Sequence, residues 1–267
     1  MRIYVYYWGH CGDALTTRPM VKLLKRLGHK VTVLCYYNHE YLFNDLEVEA
    51  GSHGFNDSSS HDFESIKLMV EWDAKRVGAI AVSCWCGTYP DLDEKYGHNW
   101  WNVVLTVERQ LAITLRGPDD SVPMLDFDAQ PFAWEKQPPR CVYLENGPTR
   151  SGHCKYEFDV EDLHFRFPAH TFCCTAKPPR PYNNVYDFSD LDLIQLQKLS
   201  EACCAIVGKG SGPFLTTYTE ANRSKPRAVM GYETLAPFKG PFWTYPGDRT
   251  QHLKGTEELH AFLEALT

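Results

Sequence analysis

The sequence predicts an α/β protein built as two domains facing across a cleft. Three observations carry that expectation. Strand and helix signals alternate in both halves of the 267-residue chain. The strand signals are near-continuous apolar runs, as expected for parallel sheets covered on both faces. A proline-rich stretch with few periodic signals separates the halves. The predicted division is 1–117 for the N-terminal domain, 118–139 for the linker and 140–267 for the C-terminal domain.

The N-terminal half opens with a strand over 2–8, a tight loop Gly9-His10-Cys11-Gly12-Asp13, and a helix over 14–27. Leu15, Met20, Leu23, Leu24 and Leu27 recur at helical spacing, with Lys22, Lys25 and Arg26 opposite, and Gly28 ends the run. A second strand follows at 30–36, which makes a βαβ unit with a parallel crossover. Residues 38–65 are polar and predict loop with one short strand, 66–75 a short helix, and 77–86 a third strand. A polar loop with Asp91, Asp93 and Glu94 covers 88–98, and a helix covers 100–116, stopped by Gly117-Pro118. In the second half, strands are expected at 140–145, 170–176, 205–208 and 227–231. Helices are expected at 191–202, 216–223 and 257–266. The alternation in each half corresponds to a Rossmann-like domain.

Composition narrows the class. Hydrophobic content of 43% supports a sizeable core. A net charge of −7 gives no whole-molecule attraction to phosphate backbones, so nucleic-acid binding needs a local basic face. No apolar run approaches the ~20 residues of a membrane span. The chain opens directly on a strand and shows no secretory leader. The ten cysteines, including Cys173-Cys174 and Cys203-Cys204 in apolar runs, read mostly as reduced small hydrophobes. Together these features predict a cytoplasmic protein, or one in the host cytoplasm if its source is viral.

Several chemistries are disfavoured. Gly208-Lys209-Gly210-Ser211 lacks the spacing of a Walker phosphate loop. There is no G-x-S-x-G nucleophile elbow. Cys84 and Cys86 are separated by one residue, whereas zinc ligands prefer two to four, and His53, His61 and His98 have no metal-ligand spacing. No metal and no cofactor is expected. Asp91, Asp93 and Glu94 read as a solvated acidic loop or, less simply, as a surface for an acceptor with amine or hydroxyl groups.

One motif goes beyond a glycine pair. Gly9-x-x-Gly12-Asp13-x-Leu15-x-Thr17-x-Pro19, followed by an amphipathic helix and a strand, resembles the start of the ADP-heptose:lipopolysaccharide heptosyltransferases. That family, glycosyltransferase family 9, has the GT-B fold. The resemblance implies that Asp13 is the catalytic base, with Gly9, His10 and Gly12 forming the acceptor-side loop. A hydroxyl is a poor nucleophile, and a carboxylate in hydrogen-bond reach takes its proton as the new bond forms. Taken without the resemblance, Asp13 is an acidic residue at a helix start, placed either to cap it or to face whatever occupies the crevice above the strand end.

Two further stretches extend the likeness. Asn146-Gly147-Pro148-Thr149-Arg150 follows a strand, as does the loop that opens that family's donor domain. A downstream basic residue contacts the donor phosphates there, and Lys155 is the nearest match, with His153 and Arg150 behind it. Ser211-Gly212-Pro213-Phe214 follows a strand and opens a helix, like the family's Asp-Thr-Gly-Pro segment. Gly210 replaces its Asp, and Lys209 supplies a nearby charge. The resemblance covers about 1–36 and 140–231. It implies an inverting, metal-independent glycosyltransferase. The donor is a nucleotide-sugar held by Thr149, Arg150, Lys155, Lys209, Ser211, Gly212 and Pro213. The acceptor is a glycan or another small hydroxyl compound.

Two alternatives stand beside it. A phage-type enzyme could glycosylate a hydroxymethylated DNA base, using Arg18, Lys22, Lys25 and Arg26 or the Lys177–Arg180 turn as a basic face, and Tyr36 and Tyr37 for stacking. A degenerate module of the same fold could bind a nucleotide or glycan without turnover.

Overall fold

The computed structural model describes residues 1–52, 62–96, 100–115, 124–135, 137–148, 154–231 and 249–266. They form two compact units, one within 1–125 and the other from Asp126 onward.

The first unit contains β1 (Arg2–Tyr6), α1 (Cys11–Arg26), β2 (Lys30–Cys35), a 3-10 segment (Tyr37–Leu46), β3 (Glu49–Ser52), α2 (Phe63–Arg76), β4 (Ile80–Ser83), α3 (Pro90–Tyr96) and α4 (Trp100–Leu111). Its four strands are parallel in the order β3-β2-β1-β4. The second unit contains β5 (Cys141–Glu145), α5 (Val160–Arg166), β6 (Thr171–Cys174), β7 (Val185–Asp187), α6 (Leu193–Ala202), β8 (Ala205–Lys209), α7 (Gly212–Leu215), β9 (Arg227–Met230), β10 (Gln251–Leu253) and α8 (Thr256–Glu264). Its strands are parallel in the order β10-β9-β8-β5-β6-β7. In each sheet the first strand is central and the chain leaves it first to one side, then to the other. The strand order reverses between β1 and β4, and again between β5 and β8. At such a point the loops diverge and leave a crevice at the carboxyl ends of the strands.

Every residue of β5 and β8 is buried, which explains why both are free of charged side chains up to their last residues, Glu145 and Lys209. Val142, Leu144, Phe172 and Val207 of this sheet pack with Leu163 of α5 and Leu259 of α8. In the first unit α1 buries Leu15, Met20, Leu23 and Leu24. It ends where Gly28 enters the left-handed region at φ +78. Gly28 N–H and His29 N–H donate to the carbonyls of Lys25 and Leu24, at 2.9 and 3.1 Å. Leu27 falls outside the buried stripe and is 51% exposed.

The helix starts at Cys11, three residues earlier than its apolar spacing predicts. His10 is extended and precedes the first turn, and its N–H donates to Asp13 Oδ2 at 2.9 Å. That bond places Gly12 and Asp13 inside the first turn rather than in a loop.

The acidic 88–98 stretch is also helical where described. Pro90 opens α3, Leu92 is buried, and Asp91 forms a two-pronged pair with Arg109 of α4, both bonds 2.8 Å. α4 stops at Leu111, before the predicted Gly117. Glu108 accepts the N–H of Leu115 at 2.9 Å, and Ala112 turns the chain at φ 52.

The expected helix at 216–223 does not form: the one-turn α7 ends before it, at Leu215, and within the span only a 3-10 turn at Glu220–Asn222 is helical. The Thr217 carbonyl accepts from the Asn222 and Arg227 side chains, at 3.0 and 2.7 Å, which diverts it from a helical ladder. Three short elements, α5, β7 and β10, were not signalled by periodicity. Asp159 does cap α5, accepting from Asp162 N–H at 2.9 Å.

Of the basic face expected on α1, Arg26 is exposed and Lys22 half-buried, but the other two members are engaged within the unit. Arg18 is fully buried, doubly bonded to Asp45 at 2.8 Å and bonded to the Leu42 carbonyl. Lys25 pairs with Glu47 and the Leu46 carbonyl. Tyr36 is also fully buried, edge-on to Tyr7 and His39, so it offers no stacking surface. The side chain of Tyr37 lies outside the described residues. In the 177–180 turn, Arg180 pairs with Glu161 and stacks on Tyr182.

Candidate active site

Asp13 stands at the carboxyl end of β1, beside the reversal between β1 and β4. Its position is set from three sides. Gly9 has φ +129, a conformation side chains rarely adopt, and a Cβ there would lie 2.1 Å from Asp13 Oδ2. The carboxylate therefore occupies the volume that Gly9 leaves empty. His10 N–H holds Oδ2 from the chain side. Thr16 and Thr17 hydroxyls both donate to the Asp13 carbonyl at 2.9 Å and fix the first turn.

Asp13 as a residue is half-buried, and the pKa of its carboxyl is pushed up to about 7. Desolvation is the larger influence, and the bond from His10 N–H opposes it. A carboxyl that changes charge near neutral pH is suited to accept a proton from a hydroxyl. Asp13 thus serves as a cap and also carries a carboxyl that changes charge near neutral pH.

The opposite lip of this crevice is the loop after β4. Trp8, which leads into Gly9, meets Trp85 edge-on with ring centroids 4.9 Å apart, and Phe63 supports Trp85 at 4.6 Å. Gln110 of α4 braces the end of β4, accepting from Ser83 N–H and donating to its carbonyl, both at 2.8 Å. Cys84 and Cys86 are each buried, and burial pushes both thiols up. No group of three His, Cys, Asp or Glu that could hold a metal ion occurs among the described residues.

The second unit repeats the arrangement with different chemistry. At the reversal between β5 and β8, the loop 146–148 faces the turn 209–212. Asn146 ties its loop to the end of β6, donating to the Ala176 carbonyl at 3.1 Å and accepting from Ala176 N–H at 2.9 Å. Ser211 caps α7, its Oγ accepting from Phe214 N–H at 3.2 Å, with Gly212 and Pro213 in that first turn. Glu145 closes the floor. It is 1% exposed, and burial raises its carboxyl to about 7 against the pull of the Ser211 hydroxyl and the Lys209 N–H. A side chain at Gly208 would strike the Phe214 ring at 2.6 Å and Glu145 Cβ at 2.7 Å, so the carboxyl needs a glycine beside it.

With this geometry in view, known structures provide the comparison. Escherichia coli heptosyltransferase WaaC, solved with ADP-2-deoxy-2-fluoro heptose, aligns over 100% of both chains with 11% identity and a TM-score of 0.60. E. coli ADP-heptose LPS heptosyltransferase II aligns over 100% of this chain and 98% of its own, with 14% identity and a TM-score of 0.60. A family 9 glycosyltransferase from Veillonella parvula aligns over 99% and 88%, with 13% identity and a TM-score of 0.57. The fold is GT-B. No family model and no curated protein sequence matches the chain.

The residues anticipated from the resemblance do not all come together on this GT-B framework. Gly9, His10, Gly12 and Asp13 come together around one carboxylate. Ser211, Gly212 and Pro213 form the turn after β8, next to Glu145. Lys209 is fully buried, and its ammonium sits 3.2 Å from Glu157 Oε2. Its charge is therefore directed to a partner within the unit. Lys155 is exposed. Thr149, Arg150 and His153 lie outside the described residues, as do His53, His61 and His98.

The side chain that sequence reading passed over is Glu145. It closes an apolar strand and belongs to no motif. The one available signal was its charge at the carboxyl end of a fully buried strand, where an ionisable residue is costly unless hydrogen-bonded.

Proposed function

We propose that this protein is an inverting, metal-independent glycosyltransferase that moves a sugar from a nucleotide diphosphate sugar to an acceptor hydroxyl. The observation that carries the reading is Asp13, with its pKa near 7 and its place at the strand-order reversal of a GT-B unit. The acceptor oxygen attacks the anomeric carbon from the face opposite the diphosphate, and Asp13 takes its proton. The bond from that carbon to the diphosphate breaks, and the nucleoside diphosphate leaves with the electron pair. The sugar keeps one new bond of inverted configuration. Backbone N–H groups of the 209–212 turn, with Arg150 or Lys155, offset the charge on the leaving diphosphate. WaaC was solved with a nucleotide-sugar analogue, which supports this donor class.

The test is a thermal-shift and turnover screen with ADP-, GDP-, UDP- and CDP-sugars. One of them should raise the melting temperature by mass action and release its nucleotide. The anomeric configuration of the product, read by NMR, then checks inversion. Binding without release identifies a non-catalytic module, and no binding by any donor overturns the reading.

Gly9→Ala should slow transfer on the order of 10²-fold, because its Cβ takes the space of the Asp13 carboxylate and small misplacements of a reacting group carry such costs. Donor affinity should stay within about twofold, well below a tenfold change of 1.4 kcal/mol. Steady-state rates beside donor titrations check the split, and an undiminished rate shows that Gly9 does not protect the carboxylate.

A further inference from the structure

The second unit places a buried carboxyl where two ligand-facing loops meet. Glu145 Oε2 accepts from Lys209 N–H at 3.4 Å, and the carboxyl also engages the Ser211 hydroxyl and Gly147 N–H. These donors come from opposite sides of the β5/β8 reversal. Gly147 lies on the loop after β5, and Lys209 and Ser211 lie on the end of β8 and the turn after it. Asn146 fastens the first loop to the end of β6. Gly147 and Gly208 both crowd the carboxyl, at 3.0 Å to Oε1 and 2.7 Å to Cβ from the positions a side chain would take. The space around Glu145 is thus fitted to one carboxyl group.

We propose that Glu145 is a positioning residue for the diphosphate of the bound nucleotide, fastening the 146–148 loop to the end of β8 and so holding the backbone N–H groups of Gly210, Ser211 and Gly212 as one anion-binding surface. This rests on the donor assignment above. The carboxyl does not touch the ligand in this role; it holds the loops that do.

The charge of Glu145 gives the inference a signature that mere structural support lacks. The groups facing it are Lys209 from β8, with Glu157 beyond it on the Lys209 ammonium, Cys154 from the loop before α5, and Tyr143 on β5 itself. Burial raises the Glu145 pKa to about 7, so the carboxyl is mostly neutral at pH 6 and mostly ionised at pH 8. An ionised Glu145 sets a negative charge behind a surface that receives a diphosphate. Binding should therefore favour the protonated form and weaken as pH rises through 7.

The experiment titrates ADP, GDP, UDP and CDP into the full-length wild type, Glu145→Gln and Glu145→Ala at pH 6, 7 and 8, and follows the nucleotide that wild type binds best. Gln is neutral and has the shape of the protonated carboxyl. Glu145→Gln should match wild type within twofold at pH 6 and bind severalfold tighter at pH 8. The comparison at each pH cancels titration of the nucleotide itself. Glu145→Ala should bind at least tenfold more weakly at all three values, with an unchanged near-ultraviolet circular dichroism spectrum. If Glu145→Ala does not fold, the Gln series alone decides. Equal affinities for wild type and Glu145→Gln at every pH overturn the inference while leaving the donor assignment intact. Absence of nucleotide binding by wild type overturns the donor assignment and this inference with it.

Discussion

Asp13→Asn should lower sugar transfer on the order of 10²–10⁴-fold, the usual worth of a positioned general base. Asparagine keeps an oxygen to accept from His10 N–H, so α1 should still begin at Cys11 and the first unit should stay folded. Donor titration should be unaffected, because the donor residues lie in the second unit.

The wild-type rate carries its own test. A base must be ionised to work, and Asp13 ionises at about 7. kcat/KM should then climb tenfold per pH unit below 7 and level above it. Stability runs the opposite way. The folded pKa of Asp13 lies above its ordinary value of 3.8, so the folded state holds the proton more tightly than the unfolded chain. That preference is fully present below about pH 4 and is lost as pH rises through 7. Asp13→Asn should therefore melt at a higher temperature than wild type at pH 8 and at nearly the same temperature at pH 4. Full turnover by the variant, or a rate profile flat from pH 5 to 8, removes Asp13 from the chemistry.

Arg18→Ala should cost about 3–5 kcal/mol of folding stability in the first unit, the range seen when one partner of a buried ion pair is removed. Arg18 is among the largest fully buried side chains, and its guanidinium engages both oxygens of Asp45. The variant takes the guanidinium away from an Asp45 side chain that is only 15% exposed, and also leaves a cavity. Arg18→Lys should rescue little, because an ammonium cannot make the parallel double bond. Urea denaturation followed by tryptophan fluorescence measures the loss. A change under 1 kcal/mol would place Arg18 on the surface, where the DNA-modifying alternative needs it.

How much was legible depended on the range of the interaction. The βαβ opening, the parallel strands and most helices follow from local spacing, because burial on two faces demands apolar runs and burial on one demands a 3.6-residue period. Gly9 and Asp13 were visible as a motif because they are four residues apart in one turn, and the structure adds that one occupies the volume the other leaves free. Short elements such as β7 and β10 carry too few residues for a period to show. The 216–223 helix failed because Asn222 and Arg227 capture a carbonyl from positions that no helical pattern reports. Arg18 looked like part of a basic face because Asp45 is 27 residues away.

Charge and burial separate what the chain alone determines from what its folding decides. Sequence by itself settles that buried strands alternate with helices, which helix face is apolar, and that an acidic residue follows a glycine pair at the first strand's end, since those depend on neighbours a few residues away. Only the folded sheet decides that Asp13 and Glu145 both titrate near 7, that Lys209 is turned onto Glu157, and that Arg18 is internal. A proton's affinity is set by the water and partners around the group, and parallel pairing brings those partners in from distant parts of the chain.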